Sequence, residues 1–140
     1  MDTPLDNPDM KIFTDGSSFV RDGKRKAGYA VVTAEQVLEA KSLPQGTSAQ
    51  LAELVALTRA LELSKGQRVN IYTDSKYAYL TLLLMLQYGK KDSLKQRQEN
   101  LLSISERSRL LTAIYCPKEV AVMHCKGRSR VGSKVATVFS

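Results

Sequence analysis

A chain of 140 residues, 43% of them hydrophobic, is long enough for one domain with a packed core. Its longest apolar burst, Leu80 to Leu86, is far too short to cross a membrane, and the polar start, Met1 to Met10 with Asp2, Asp6 and Asp9, does not read as a secretory signal. The formal charge of +7 is uneven: residues 1–84 carry ten Lys/Arg and ten Asp/Glu, residues 85–140 eleven and four. Clustered Lys/Arg in the second half, including Lys90, Lys91, Lys126, Arg128, Arg130 and Lys134, predicts a surface for nucleic-acid phosphates; a solvated basic tail is the plain alternative. Cys116 and Cys125 lack metal-ligand spacing and suit a reduced, intracellular protein.

Lys11–Thr14 (KIFT) predicts a first strand, ended by the turn string Asp15-Gly16-Ser17-Ser18. Ala27–Thr33 is a second strand and Val37–Leu43 a third, and their short links imply an antiparallel meander. Thr47–Lys65 is the clearest helix. Thr47 and Gln50 have capping-box spacing, Leu51, Leu54, Val55, Thr58, Leu61 and Glu62 follow the helical period, and Gly66 supplies a stop. Ala52, Ala56 and Ala60 widen its apolar surface, so it is expected against a sheet. Val69–Thr73 is the next strand, and Asp74-Ser75 opens another helix. A strand–helix–strand unit implies parallel pairing through a right-handed crossover. Leu80–Leu86 is apolar for a solvent-facing segment and predicts association. Val120–Cys125 is the last strand. The predicted class is α/β, with a five-stranded mixed sheet and flanking helices.

Three acids stand out by position. Asp15 and Asp74 each follow a strand, where ligands gather in α/β sheets, and Glu53 sits in a mostly apolar helix with no obvious cation nearby in sequence. Singly, Asp-Gly-Ser is an ordinary turn and Asp-Ser an ordinary helix cap. Together, a shared divalent cation satisfies all three, with their carboxyl groups expected at one sheet edge.

The strings TDGSS, GTSAQLAEL and YTDSKYA resemble the ribonuclease H domain of retroviral reverse transcriptases, above all the gammaretroviral type found in endogenous retroviruses. The resemblance runs from about Met10 to Leu80 and again from Leu110 to Gly127. It implies an RNase H-like fold and a Mg²⁺- or Mn²⁺-dependent endonuclease that cuts the RNA strand of RNA/DNA hybrids, within a larger Pol polyprotein. Asp15, Glu53 and Asp74 match the first three of four catalytic, metal-holding carboxylates. Gly16, Ser17, Ser48, Ala49, Gln50, Ser75 and Tyr77 are implied at the hybrid, with Ser48, Ala49 and Gln50 near its minor groove. Core packing is the plainer role for Tyr77 and Tyr29, and a structural role for His124.

Two departures from the family bear on activity. The family's His-Cys-x-Gly-His loop has Arg128 in place of its second histidine, and a final helix with the fourth Asp is expected to be missing, since no acid follows Glu119. By the resemblance, the first and fourth acids hold the nucleophile-side metal, and the first three hold the leaving-group metal. Cleavage is therefore expected to be weak, with nucleic-acid binding better kept. The other departure is Leu83–Ser108, where the family has a basic helix–loop containing Trp-Lys-Glu-Arg. A one-base shift with permitted codons gives THAAIWKERLLKTAPGKLIKHQREI, so compensating frameshifts are expected in the gene. The expected organisation is a polar extension 1–9, an RNase H-like domain 10–127 with 83–108 divergent, and a basic tail 128–140.

Overall fold

The computed structural model describes residues 3–88 and 104–125. The basic residues Lys90, Lys91, Lys126, Arg128, Arg130 and Lys134, the tail 128–140 and most of the divergent 83–108 segment lie outside the described residues. In chain order the elements are β1 (Met10–Arg21), β2 (Lys24–Val32), β3 (Val37–Leu43), α1 (Ala49–Leu63), β4 (Arg68–Thr73), α2 (Lys76–Tyr88), α3 (Ile104–Ala113) and β5 (Glu119–His124). The five strands form one mixed sheet in the order β3-β2-β1-β4-β5. β1–β2 and β2–β3 are antiparallel, and β1–β4 and β4–β5 are parallel.

The first strand corrects the sequence reading. Asp15-Gly16-Ser17-Ser18 is no turn: these residues pair with Ala30, Tyr29, Gly28 and Ala27 of β2. The reversal comes at the second Asp-Gly of the chain, Asp22-Gly23, where both residues have positive φ (55° and 74°), as a tight hairpin turn requires. Turn propensity is identical for the two dipeptides; ladder pairing with β2 decides which one bends. The cap of α1 also shifts by one residue. Ser48 Oγ accepts the Leu51 N–H at 3.1 Å, while the Thr47 hydroxyl donates to the Pro44 carbonyl at 2.6 Å and closes the preceding turn.

The core lies between the sheet and the helices. Leu54, Ala56, Leu57, Ala60 and Leu61 of α1 pack with Ile12, Tyr29, Val31, Val69, Ile71 and Val122. Within Leu80–Leu86 the described side chains divide: Leu82 and Met85 are core residues, Leu84 packs against the core, and Leu80 is 44% exposed. Leu82 and Met85 belong to the buried side of α2, and Leu80 to its exposed side.

Two polar devices brace this scaffold. Arg59 of α1 makes a two-pronged ion pair with Glu39 of β3 (2.7 and 2.8 Å) and a third bond to Glu62 at 2.7 Å; Arg109 of α3 grips Glu62 at 2.8 and 2.9 Å. The Tyr29 hydroxyl donates to Glu39 from β2. Arg59 in first place, and then the Tyr29 hydroxyl, holds the Glu39 carboxyl down to about 2, while burial and then Glu39 push Tyr29 up to about 12. At the other end of the sheet, the buried Asn70 side chain accepts the Leu5 N–H at 2.8 Å and donates to its carbonyl at 3.2 Å. Arg68 donates to the carbonyls of Asp6 and Asn7, so residues 5–7 are docked on β4.

Candidate active site

The site forms where two strands of unequal length part. β1 and β4 run parallel until Thr14 pairs with Thr73. β1 continues to Arg21, while β4 stops and the chain turns into α2. The next residues on the two strands are Asp15 and Asp74, which therefore come to lie side by side. This is the position where the chain order across the sheet reverses, a natural crevice in α/β folds. The acids thus meet at the central strand of the sheet, not at its edge as expected.

Glu53 reaches the same point from α1, and Gly16 makes that approach possible. A Cβ on Gly16 would stand 2.4 Å from the Ala52 carbonyl carbon and 2.5 Å from the Glu53 nitrogen, so helix and strand backbones touch there. Gly16 is thus required by packing. Its backbone N–H donates to Glu53 Oε1 at 2.7 Å, which fixes the carboxylate over the strand. One carboxylate oxygen from each of Asp15, Glu53 and Asp74 lies within 4.8 Å of the others. Asp15 is buried, with 7% exposed, and the other two are half-buried.

Three carboxylates packed this closely are a hard-oxygen donor set. An octahedral Mg²⁺ with bonds of about 2.1 Å sets its ligand oxygens roughly 3 to 4 Å apart, so a small inward movement of these groups suffices. Hard divalent ions such as Mg²⁺ or Mn²⁺ fit these donors, and soft thiolate-seeking metals do not.

The other expected site residues divide. Ser48, Ala49 and Gln50 are exposed at the cap and first turn of α1, open to a ligand. Ser17 is half-buried, on the same strand face as Asp15. Ser75 caps α2, its Oγ accepting the Ala78 N–H at 3.0 Å. Gly16 is buried under α1, and its N–H is committed to Glu53. Tyr77 packs on the core; its enclosed hydroxyl lacks a well-formed hydrogen bond, and burial pushes its pKa up. His124 ends β5 and packs on Tyr79, with ring centroids 5.8 Å apart.

Sequence reasoning missed Cys125 as a neighbour of the cluster. Its backbone N–H donates to the Thr73 carbonyl at 2.9 Å, and burial, with the nearby charge of Asp74, pushes its thiol up. The clue was available in the parallel pairing of the last strand with Val69–Thr73, which sets Cys125 next to Asp74.

Comparison with known proteins agrees with this geometry. A family model described as RNase H matches residues 7–136. The chain is 50% identical over 137 residues to the Gag-Pol polyprotein of Avian reticuloendotheliosis virus, covering 97% of the chain and 12% of the polyprotein. It is 43% identical over 136 residues to the Pol polyprotein of Radiation murine leukemia virus (strain Kaplan), covering 96% of the chain and 23% of that protein. It is also 43% identical over 137 residues to the Pol polyprotein of Feline endogenous virus ECE1, at 97% and 13% coverage. The chain therefore spans a quarter or less of the curated relatives it matches. Among solved structures, the PFV RNase H domain superposes with a TM-score of 0.67 at 22% identity, over 94% of this chain and 89% of that one. A foamy viral protease-reverse transcriptase solved with RNA/DNA hybrid gives 0.71 at 18% identity, over 98% of this chain and 20% of that one. Taken with the carboxylate cluster at the parting of β1 and β4, these matches show that the chain belongs to the RNase H family, in the branch of the gammaretroviral Pol polyproteins.

Proposed function

We propose that this domain binds RNA/DNA hybrid and hydrolyses the RNA strand at Asp15, Glu53 and Asp74, and that these 140 residues by themselves bind better than they cut. The convergence of the three carboxylates carries the reading. Asp15, in the middle of β1, and Asp74, just past the end of β4, hold a divalent cation, and Glu53 holds it from α1, kept in place by the Gly16 N–H. A cation bound there supplies charge stabilisation on the scissile phosphate and a water of lowered pKa. Ser48, Ala49 and Gln50, exposed above the cleft, lie against the minor groove, where 2′-hydroxyls mark the RNA strand. Ser17 shares a strand face with Asp15, and Ser75 directly follows Asp74.

Slow cutting follows from the ligand count. Three acids complete one cation site, whereas a two-metal reaction holds two cations about 4 Å apart and needs a further ligand. Residues 120–140 offer no Asp or Glu, and Arg128 stands where the resemblance expects a histidine. A labelled hybrid incubated with this chain in Mg²⁺ and in Mn²⁺, with Asp74→Asn as control, tests both parts. The expected result is salt-sensitive hybrid binding with cleavage near the control. Robust Mg²⁺-dependent cutting overturns the ligand-count argument, and no hybrid binding at low salt overturns the proposal as a whole.

A further inference from the structure

Halves of the sequence compared by charge hide a basic feature that the fold assembles next to the cluster. Between residues 16 and 34 the sole acid is Asp22, while Arg21, Lys24, Arg25 and Lys26 are all exposed on the β1–β2 hairpin. Side chains alternate along a strand, so Asp15, Ser17, Phe19 and Arg21 share one face of β1. The antiparallel register adds their partners on β2 to that face: Gly28 opposite Ser17, Lys26 opposite Phe19, and Lys24 opposite Arg21. Ser42 of β3 lies beside Gly28. The strip starts at the carboxylate cluster, passes small and hydroxyl-bearing residues, and ends in three cations.

This end of the strip is shaped as well as charged. Phe19, Arg21, Lys26, Ser42 and Gln45 line a shallow cleft there. The Arg21 guanidinium lies 5.4 Å from the centroid of the Phe19 ring, which holds it on this face. The Gly46 N–H donates to the Arg25 carbonyl at 3.2 Å, so the hairpin is fastened to the loop that leads into Ser48–Gln50. At about 3.3 Å per residue, Phe19 and Arg21 stand roughly 13 and 20 Å from Asp15, a span of a few phosphates along one strand.

We propose that the β1–β2 hairpin, through Phe19, Arg21, Lys24 and Lys26, is a second nucleic-acid contact that grips the phosphate backbone of a hybrid whose scissile phosphate sits at the carboxylate cluster. It rests on the hybrid-binding reading above. Its partner is the backbone, because three cations and one aromatic ring, on a face left uncovered among the described residues, offer charge and no base-reading pattern.

The test compares two variants of equal charge change. Lys24→Gln/Lys26→Gln alters the hairpin; Lys65→Gln/Lys118→Gln removes two exposed lysines at the opposite ends of the strands. Hybrid affinity is measured over a series of salt concentrations in Ca²⁺, which limits cleavage. The hairpin variant is expected to bind roughly tenfold more weakly near physiological salt and to lose about 1.8 from the slope of log affinity against log salt. The control is expected to change less than about twofold. Equal effects of the two variants, or none from the hairpin variant, overturn the inference while hybrid binding by the parent chain stands. A parent chain that binds no hybrid overturns both.

Discussion

Glu53 Oε1 accepts the Gly16 N–H at 2.7 Å, a bond between helix α1 and the central strand that spans 37 positions of sequence. It joins two features of the fold: a close backbone approach between helix and sheet, and the carboxylate cluster. Whatever separates Gly16 from α1 also displaces Glu53.

Gly16→Ala is therefore expected to damage stability and site together. Its methyl group would stand 2.4 Å from backbone of Ala52, which cannot rotate away. A loss of about 3 kcal/mol or more is expected, against about 1 kcal/mol for Gly23→Ala, which strains an open turn with a φ of 74° and meets no atom. Thermal melts of both variants measure the difference; equal melts contradict the close contact.

Divalent cations should stabilise the domain through the cluster. Binding to the folded state alone adds about 2.7 kcal/mol when the cation is at a hundred times its Kd. The melting temperature of the parent chain is expected to rise with Mg²⁺ or Mn²⁺. Asp74→Asn should flatten the response while melting no lower than the parent in chelator, because it removes like-charge repulsion. A response to cations that survives in Asp74→Asn places the cation elsewhere.

The Arg59 network predicts pH behaviour on both sides of neutrality. Glu39 is held down to about 2 from an ordinary 4.5, so its contribution is full above about 4.5 and lost as pH falls toward 2. Tyr29 is pushed up to about 12 from 10, so its contribution is full below 10 and lost as pH rises through 12. Glu39→Gln should remove on the order of 2 kcal/mol near neutrality and shrink the loss between pH 4.5 and 2. Urea melts across that range read both effects.

Asn70 clamps the N-terminal segment through both hydrogen bonds to Leu5. Asn70→Ala is expected to cost about 1 to 3 kcal/mol, since it leaves a buried gap and two unpaired backbone groups. Limited proteolysis should then cut within residues 3–9 well before the sheet is attacked. Unchanged protection of that segment would show that Arg68, through its bonds to Asp6 and Asn7, suffices to hold it.

Much of this architecture was legible in the sequence because it rests on short-range patterns. The strand residues of Ala27–Thr33, the helical period from Leu51 to Leu61, and the strand–helix–strand order led to a mixed sheet with a parallel crossover. The family strings around Asp15, Glu53 and Asp74 singled out the acids, which the structure brings together. Misreadings arose where local propensity is degenerate. Asp15-Gly16 and Asp22-Gly23 are the same dipeptide, and only the second bends. Thr47 and Ser48 are both good caps, and the bond to Pro44 removes the first from that role. In Leu80–Leu86, apolar content does not reveal which positions neighbours cover: Leu82 and Met85 are buried and Leu80 is exposed.

The sequence by itself determined the element order, the chemistry of the three acids and the kinship with RNase H, since these depend on residue type and spacing along the chain. The tertiary structure alone decided that Asp15 and Asp74 meet at a central strand, that Gly16 serves a helix contact, and that Glu39, Arg59, Glu62 and Arg109 form one network. It also decided that the cations of the β1–β2 hairpin share a face with Asp15. Each of these depends on register, and register is fixed by burial and pairing across the whole sheet, which no local stretch of sequence encodes.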